Sequence, residues 1–194
     1  MRTDAAELLL AHMRARSHVA PKRLEAPGPN ADALNLMFSA AAQAPDHGRI
    51  RPWRFIVIPQ EKREALGQAF VQALQARDAK ASQAELNIAY DKAFRAPCLV
   101  LAVLSHVPSE PQVPTHERLV SLGCAIQNML LMAQTLAIGS GITSGQSMNA
   151  SSIRELFKLH IDEECVCYLA FGHVTAYKPQ RTRSEPAAFV SVLD

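Results

Sequence analysis

The stretch Ala44-Pro45-Asp46-His47-Gly48-Arg49-Ile50-Arg51-Pro52-Trp53-Arg54-Phe55-Ile56-Val57-Ile58 decides how this chain is read. Pro45 closes a helix, because proline offers no N–H to the i−4 ladder. A tight polar loop follows, and from Trp53 the residues turn aromatic, β-branched and largely apolar, as in a short buried strand. The loop gathers His47, Arg49, Arg51 and backbone amides between two buried elements, which is where binding chemistry usually sits. Those groups suit a flat, anionic ligand.

Upstream, residues 4–14 read as a helix with Leu8, Leu9 and Leu10 on its apolar side. A basic loop, Arg14 to His18, and a proline-rich stretch follow. Asn30 is a good N-cap for a helix over 31–43, with Leu34, Met37, Phe38 and Ala41 at helical spacing. Downstream, residues 61–77 are an amphipathic helix presenting Leu66, Phe70, Val71 and Leu74. Another helix spans 82–94 and stops at Arg95-Ala96-Pro97. Residues 98–104 (CLVLAVL) are continuously apolar, as in a central strand buried on both faces.

After a polar loop over 105–114 comes the longest helix, 115–138, apolar around much of its circumference and so buried from several sides. Gly139 to Gly145 end that helix and let backbone approach a ligand. A short helix over 150–157 and a strand over 165–174 complete the body. Lys178 to Arg183 form an exposed arm, and residues 189–192 read as a terminal strand suited to docking on a neighbouring subunit. Helices come first and the strands are unevenly spaced, so the class is α+β, with helices around a small mixed sheet.

The composition narrows the function. A length of 194 residues fits one domain spanning 1–194, and 48% hydrophobic content argues against disorder. A net charge of +2 is too small for a nucleic-acid footprint. Every apolar run is interrupted well before it could span a membrane. The acidic N-terminus reads as a helix start, not a secretory leader. Four cysteines in a chain this long do not make a disulfide scaffold, and a cytoplasmic location follows. Cys165 and Cys167 share a strand face but lack a second ligand pair, so no metal site is expected.

Several clusters carry chemistry. Arg14, Arg16 and Ser17 could hold a phosphate, since guanidinium forks and a hydroxyl converge just after a helix; the plainer reading is a solvated basic loop. The glycine-rich run Gly139-Ser140-Gly141-Ile142-Thr143-Ser144-Gly145 follows a helix, whereas a dinucleotide fingerprint follows a strand, so a Rossmann reading is rejected. Gly123 inside the long helix costs about 1 kcal/mol against Ala, which predicts a close neighbour there. Cys124 beside it reads as helix packing.

These segments resemble the short, FMN-dependent nitroreductases of the YdjA-like branch. Pro45-Asp46-His47 with Pro52-Trp53 is similar to the family's P-D-H-x-x-x-x-P-W. Arg16-Ser17 through Leu24 resembles its R-R-S phosphate loop, with Ala15 where the first Arg usually stands and Arg14 as a possible substitute. Gly139 to Gly145 resembles G-x-G-x-W-R-S-G, with Ile142 and Thr143 replacing Trp and Arg and Ser144 kept. His116-Glu117 with Ser121, Gly123 and Cys124 resembles W-E-Q-x-x-S-x-G-C-A.

The resemblance implies a three-layer α+β sandwich with a mixed or antiparallel sheet, paired as a homodimer with exchanged terminal segments. Residues 175–194 would pack on the partner. Each interface would hold one FMN, reduced by NADH or NADPH and reoxidised by a nitroaromatic, quinone or related acceptor. Cofactor contacts would come from Arg14, Ala15, Arg16, Ser17, Ile142, Thr143 and Ser144, with Gln43 and His47 reaching across from the other subunit. No side chain need act as a general acid. Lys178, Arg181 or Arg183 could return to replace the missing cation. Two other readings stay open: a relative that holds flavin or another planar ligand without turnover, and a different flavin reaction on the same scaffold.

Overall fold

The computed structural model of the chain describes residues 2–106, 112–175 and 182–193. Six helices, α1 (Arg2–Ala15), α2 (Ala31–Ala41), α3 (Arg63–Arg77), α4 (Gln83–Asp91), α5 (Thr115–Thr135) and α6 (Ser151–Leu156), enclose five strands. The strands are β1 (Leu24–Glu25), β2 (Trp53–Ile58), β3 (Cys98–Ser105), β4 (Gly139–Thr143) and β5 (Glu163–Val174). β5 is the axis of the sheet. One of its edges carries β3 and then β2; the other carries β4 and, past it, β1. All four pairings are antiparallel, so the mixed sheet resolves to an antiparallel one.

β3 is buried along nearly its whole length, as its unbroken apolar run requires. Leu99, Leu101 and Val103 face one layer, with Leu66 and Phe70 of α3 and Ile153 of α6. Val100, Ala102 and Leu104 face the other, with Met37 of α2 and Leu122, Ile126 and Met129 of α5. Each large apolar side chain buried this way stabilises the fold by about 1.5–3 kcal/mol. The result is helix, sheet, helix, in three layers. Arg63 is fully buried where three elements meet. Its guanidinium donates to the carbonyls of Ile58 (3.1 Å), Ala93 (2.8 Å) and Pro97 (3.4 Å).

Element ends follow local chemistry. The Asn30 side chain accepts from Ala33 N at 2.9 Å and opens α2 as an N-cap. Ser82 and Glu85 form a reciprocal capping box at the start of α4. The helices expected over 61–77 and 82–94 begin or end in 3-10 turns, Gln60–Lys62 and Lys92–Phe94. The long helix stops at Thr135, not 138, and Ala137 takes a left-handed conformation (φ 56°) that turns the chain into β4.

Five expectations are corrected. Gly139 to Thr143 form a strand: once set against β5, their backbone groups pair regardless of side-chain propensity. Leu8, Leu9 and Leu10 are exposed on α1, Leu8 at 72%. Residues 189–192 form no strand among the described residues, because no strand of this chain lies alongside to supply a ladder; a 3-10 turn at Pro186–Ala188 precedes them. Cys165 and Cys167 face opposite layers, because the ladder to β3 skips a residue between them. Gly123 meets no neighbour within this chain: a Cβ there would have nothing within 4 Å.

Candidate functional site

The loop before β2 is held under conformational strain. Gly48, Arg49 and Arg51 have φ of 69°, 55° and 43°, and two of these are arginines in a region that favours glycine. Asp46 holds the turn by accepting from Arg51 N at 2.7 Å through Oδ2, while its Oδ1 is buried with no hydrogen-bond partner among the described residues. His47 Nδ1 lies 2.5 Å from the Glu117 carboxylate on α5. The neighbouring Arg118 is buried and donates to Val113 O (2.8 Å) and Ser105 O (3.1 Å), which pins the start of α5 to the end of β3. Two motifs seventy residues apart thus become one cluster. Gln43 is exposed just beyond α2, and its amide donates to Ser39 O at 3.3 Å.

A second group forms where the loop after α1 meets β4. Val19 N donates to Ser140 O at 2.8 Å, and Ile142 N approaches His18 Nδ1 at 3.4 Å. Gly141 is what allows this seam, since a Cβ there would sit 2.1 Å from the Val19 carbonyl oxygen. The seam ties the loop that carries Arg16 and Ser17, both half-buried, to β4 through His18 and Val19. Arg14 and Ala15 are exposed. Arg183, from the C-terminal arm, comes within 3.5 Å of the Arg16 carbonyl. Burial, and then the nearby charge of Arg183, lower the pKa of Arg16. Two guanidinium groups drawn together without a carboxylate between them favour an anion. Lys178 and Arg181 lie outside the described residues.

A cavity of about 600 Å³ opens where β4 ends, within the range of small-molecule sites. Thr143 and Ser144 line it, together with Phe70, Leu99 and Tyr168 from the α3–α4 side of the sheet. The predicted residues therefore fall into two groups. Thr143 and Ser144 line the cavity, with Arg16 and Ser17 on the loop joined to β4 but outside the lining, while Gln43 and His47 lie by the α2–α5 layer, also outside it. Reading the sequence alone missed Tyr168 and the cavity's cations, Lys22, Arg77, Lys92 and Arg95. No short motif joins them; only the packing of α4 on α3 around the cavity does.

The thiols of Cys98, Cys165 and Cys167 are pushed up to about 11, by burial first, and stay protonated at neutral pH. No group of metal-binding side chains occurs among the described residues. None of the described helices is long and apolar enough to cross a membrane.

Residues 16–173 match the Nitroreductase family, a span that runs from the Arg16 loop through β5. The chain belongs to the Nitroreductase family. It is 34% identical over 154 residues to a "Putative NAD(P)H nitroreductase" of Haemophilus influenzae, covering 78% of this chain and 81% of that one. It is 31% identical over 169 residues to YdjA of Escherichia coli, of the same designation, covering 87% of each. A nitroreductase-like protein of Bacillus cereus shares the fold with a TM-score of 0.81, at 19% identity and 95% coverage of each chain. An FMN-bound nitroreductase of Bacteroides fragilis superposes with a TM-score of 0.69, at 20% identity, over 95% of this chain and 98% of its own.

Proposed function

We propose that this nitroreductase-family chain is an FMN-dependent NAD(P)H oxidoreductase that reduces nitroaromatics, quinones or related acceptors. It acts as a homodimer with one site at each end of the subunit interface. The observation that carries this reading is the seam between the loop after α1 and β4, on whose loop side Arg16 and Arg183 come together as a cationic pair.

The donor set fits the cofactor. Arg16 and Ser17 would hold the phosphate, with Arg183 supplying the cation that Ala15 and Thr143 do not. Arg14 is exposed one residue outside that edge and would add longer-range attraction. Ile142, Thr143 and Ser144 would flank the ring, and the half-buried Thr143 would present a hydroxyl to it. Gln43 and His47 of the second copy would complete the site from across the interface. This accounts for their lying away from the cavity in their own chain. The chemistry FMN supplies when bound is transfer of electrons from a nicotinamide to an acceptor. The chain's part is to bind, orient and shield.

The first test is the visible spectrum of the purified protein before and after incubation with FMN and desalting. A retained flavin spectrum that bleaches anaerobically with NADH or NADPH is the expected outcome. A colourless protein that cannot be reloaded overturns the reading. Ala15, Gln43, Ile142 and Thr143 favour one second reading, a flavin-binding relative without turnover, and retained flavin that never bleaches would select it.

A further inference from the structure

We propose that the cavity at the end of β4 selects an aromatic anion, the acceptor being a ring that carries a carboxylate or an equivalent acid. Its standing as the electron acceptor rests on the oxidoreductase reading; its binding does not.

Charge is the first ground. Lys22, Arg77 and the pair Lys92 and Arg95 line the cavity from three different segments, and none of the four side chains has an ion-pair or hydrogen-bond partner among the described residues. Against them stands a single carboxylate, Glu85, and it is already committed. Its Oε2 accepts from both Ser82 N and Ser82 Oγ at 2.8 Å in the capping box of α4. Arg77 sits in the last turn of α3, where the helix dipole favours a cation. That explains one of the four and not their convergence.

The floor supplies the second ground. Phe70, Leu74, Ile88 and Leu99 offer apolar contact to a ring. Among them lies the Tyr168 hydroxyl, in a side chain only 5% exposed and with no hydrogen-bond partner among the described residues. A buried hydroxyl left unpaired is costly, so its presence in a cavity wall marks a missing partner. Burial, and then the nearby Cys165, raise its pKa, so it remains a protonated donor. It would therefore meet an oxygen of the ligand, a nitro or quinone oxygen, while the acid lies at the cationic rim. The cavity's Thr143–Ser144 wall is shared with the proposed ring site, which puts this ligand where the flavin reading needs an acceptor.

The test is titration calorimetry of the full chain with two non-reducible probes of one shape, 2-naphthoate and 2-naphthamide. The carboxylate should bind about tenfold more tightly at low salt, and the preference should collapse in 0.5 M salt because the rim is exposed. The double substitution Arg77→Gln with Arg95→Gln should reduce the preference to about twofold. Tyr168→Phe should weaken 4-nitrobenzoate and 4-nitrobenzamide alike, since both carry the nitro oxygens that the hydroxyl would meet, and leave the preference for the acid intact. Equal affinities in the unaltered protein overturn the proposal, as does a preference that survives loss of both arginines. Abolition of naphthoate binding by saturating FMN also overturns it, since the cations would then belong to the flavin phosphate. Selective naphthoate binding in a protein that never oxidises NAD(P)H leaves this proposal standing and overturns the oxidoreductase reading. NAD(P)H-driven turnover with equal kcat/KM for 4-nitrobenzoate and 4-nitrobenzamide does the reverse.

Discussion

Single residues decide whether this member of the family keeps its cofactor. Arg183 is the sharpest case, because its guanidinium lies against Arg16 where the sequence puts Ala15 and Thr143 in place of cations. A charge-assisted contact to phosphate is worth about 1.5–3 kcal/mol. Arg183→Ala should therefore raise the FMN dissociation constant by about ten- to a hundredfold, measured by flavin fluorescence quenching, and Thr143→Arg in that background should restore part of the loss. Glu117 acts differently. It is partly exposed, and an exposed pair with His47 contributes about 0–1 kcal/mol to stability. Glu117→Gln should leave the melting temperature within about 3 °C while weakening FMN several-fold, because the imidazole loses its orienting partner. Unchanged FMN affinity would remove His47 from the site. The sequence could name Arg16, Ser17 and His47 because each belongs to a compact motif. It could name Arg183 only as one of three candidates, since contact across 167 positions is a property of the folded arm. It could not reach Tyr168 or Lys92 at all, because neither has a neighbour in sequence that signals a site.

Among the elements, those with strong periodicity were legible and those made by their neighbours were not. β2, β3, α2 and α3 were readable from apolar spacing and caps. β4 was not: Gly-Ser-Gly-Ile-Thr has little intrinsic strand preference, and its pairing partner β5 imposes the extended form. The reverse error came at residues 189–192, where strand-like residues lack a ladder within their own chain. The seam on β4 makes a direct prediction. Gly141→Ala would drive a Cβ into a backbone oxygen that cannot move aside, so it should cost about 1–3 kcal/mol in denaturant unfolding. FMN retention should fall with it, as the Arg16 loop is displaced. The ion pair that reaches across β3 from β2 to β5 makes another. Arg54 donates to both oxygens of Glu163 at 2.6 and 2.7 Å, and this contact, ahead of the backbone bond from His160, holds the Glu163 pKa below its ordinary value. A depressed carboxylate stabilises the fold above its unfolded pKa and loses that contribution as pH falls through the folded one. Glu163→Gln should therefore be less stable than the unaltered protein at pH 7, and the gap should close as the pH falls through the acid range below the ordinary carboxylate pKa. A gap independent of pH would mean the pair contributes through shape alone.

At the scale of the whole molecule, the exposed apolar side chains bear on the proposed dimer. Leu8, Leu9 and Leu10 on α1, Leu119 and Val120 on α5, and Phe189, Val190, Val192 and Leu193 in the C-terminal segment are all exposed, Val120 at 64% and Val192 at 83%. Exposed apolar side chains that form a contiguous patch mark an interface, and obligate dimers commonly bury about 2,000 Å² or more. Gly123, with open space above it on α5, lets a second backbone approach closely where the isolated chain offers none. In the proposed dimer the same surface would tie assembly to chemistry, with Gln43 and His47 serving the other copy's site. Val120→Glu places a charge in that interface, where one left unpaired costs several kcal/mol. Sedimentation velocity should show the variant as a monomer at micromolar concentration, and the flavin absorbance should no longer travel with the protein. Far-ultraviolet circular dichroism should be unchanged, because Val120 contributes nothing to the layers within one chain. A monomer that still carries FMN at full occupancy would mean that Arg16, Ser17 and the β4 loop suffice, and the shared site would be wrong.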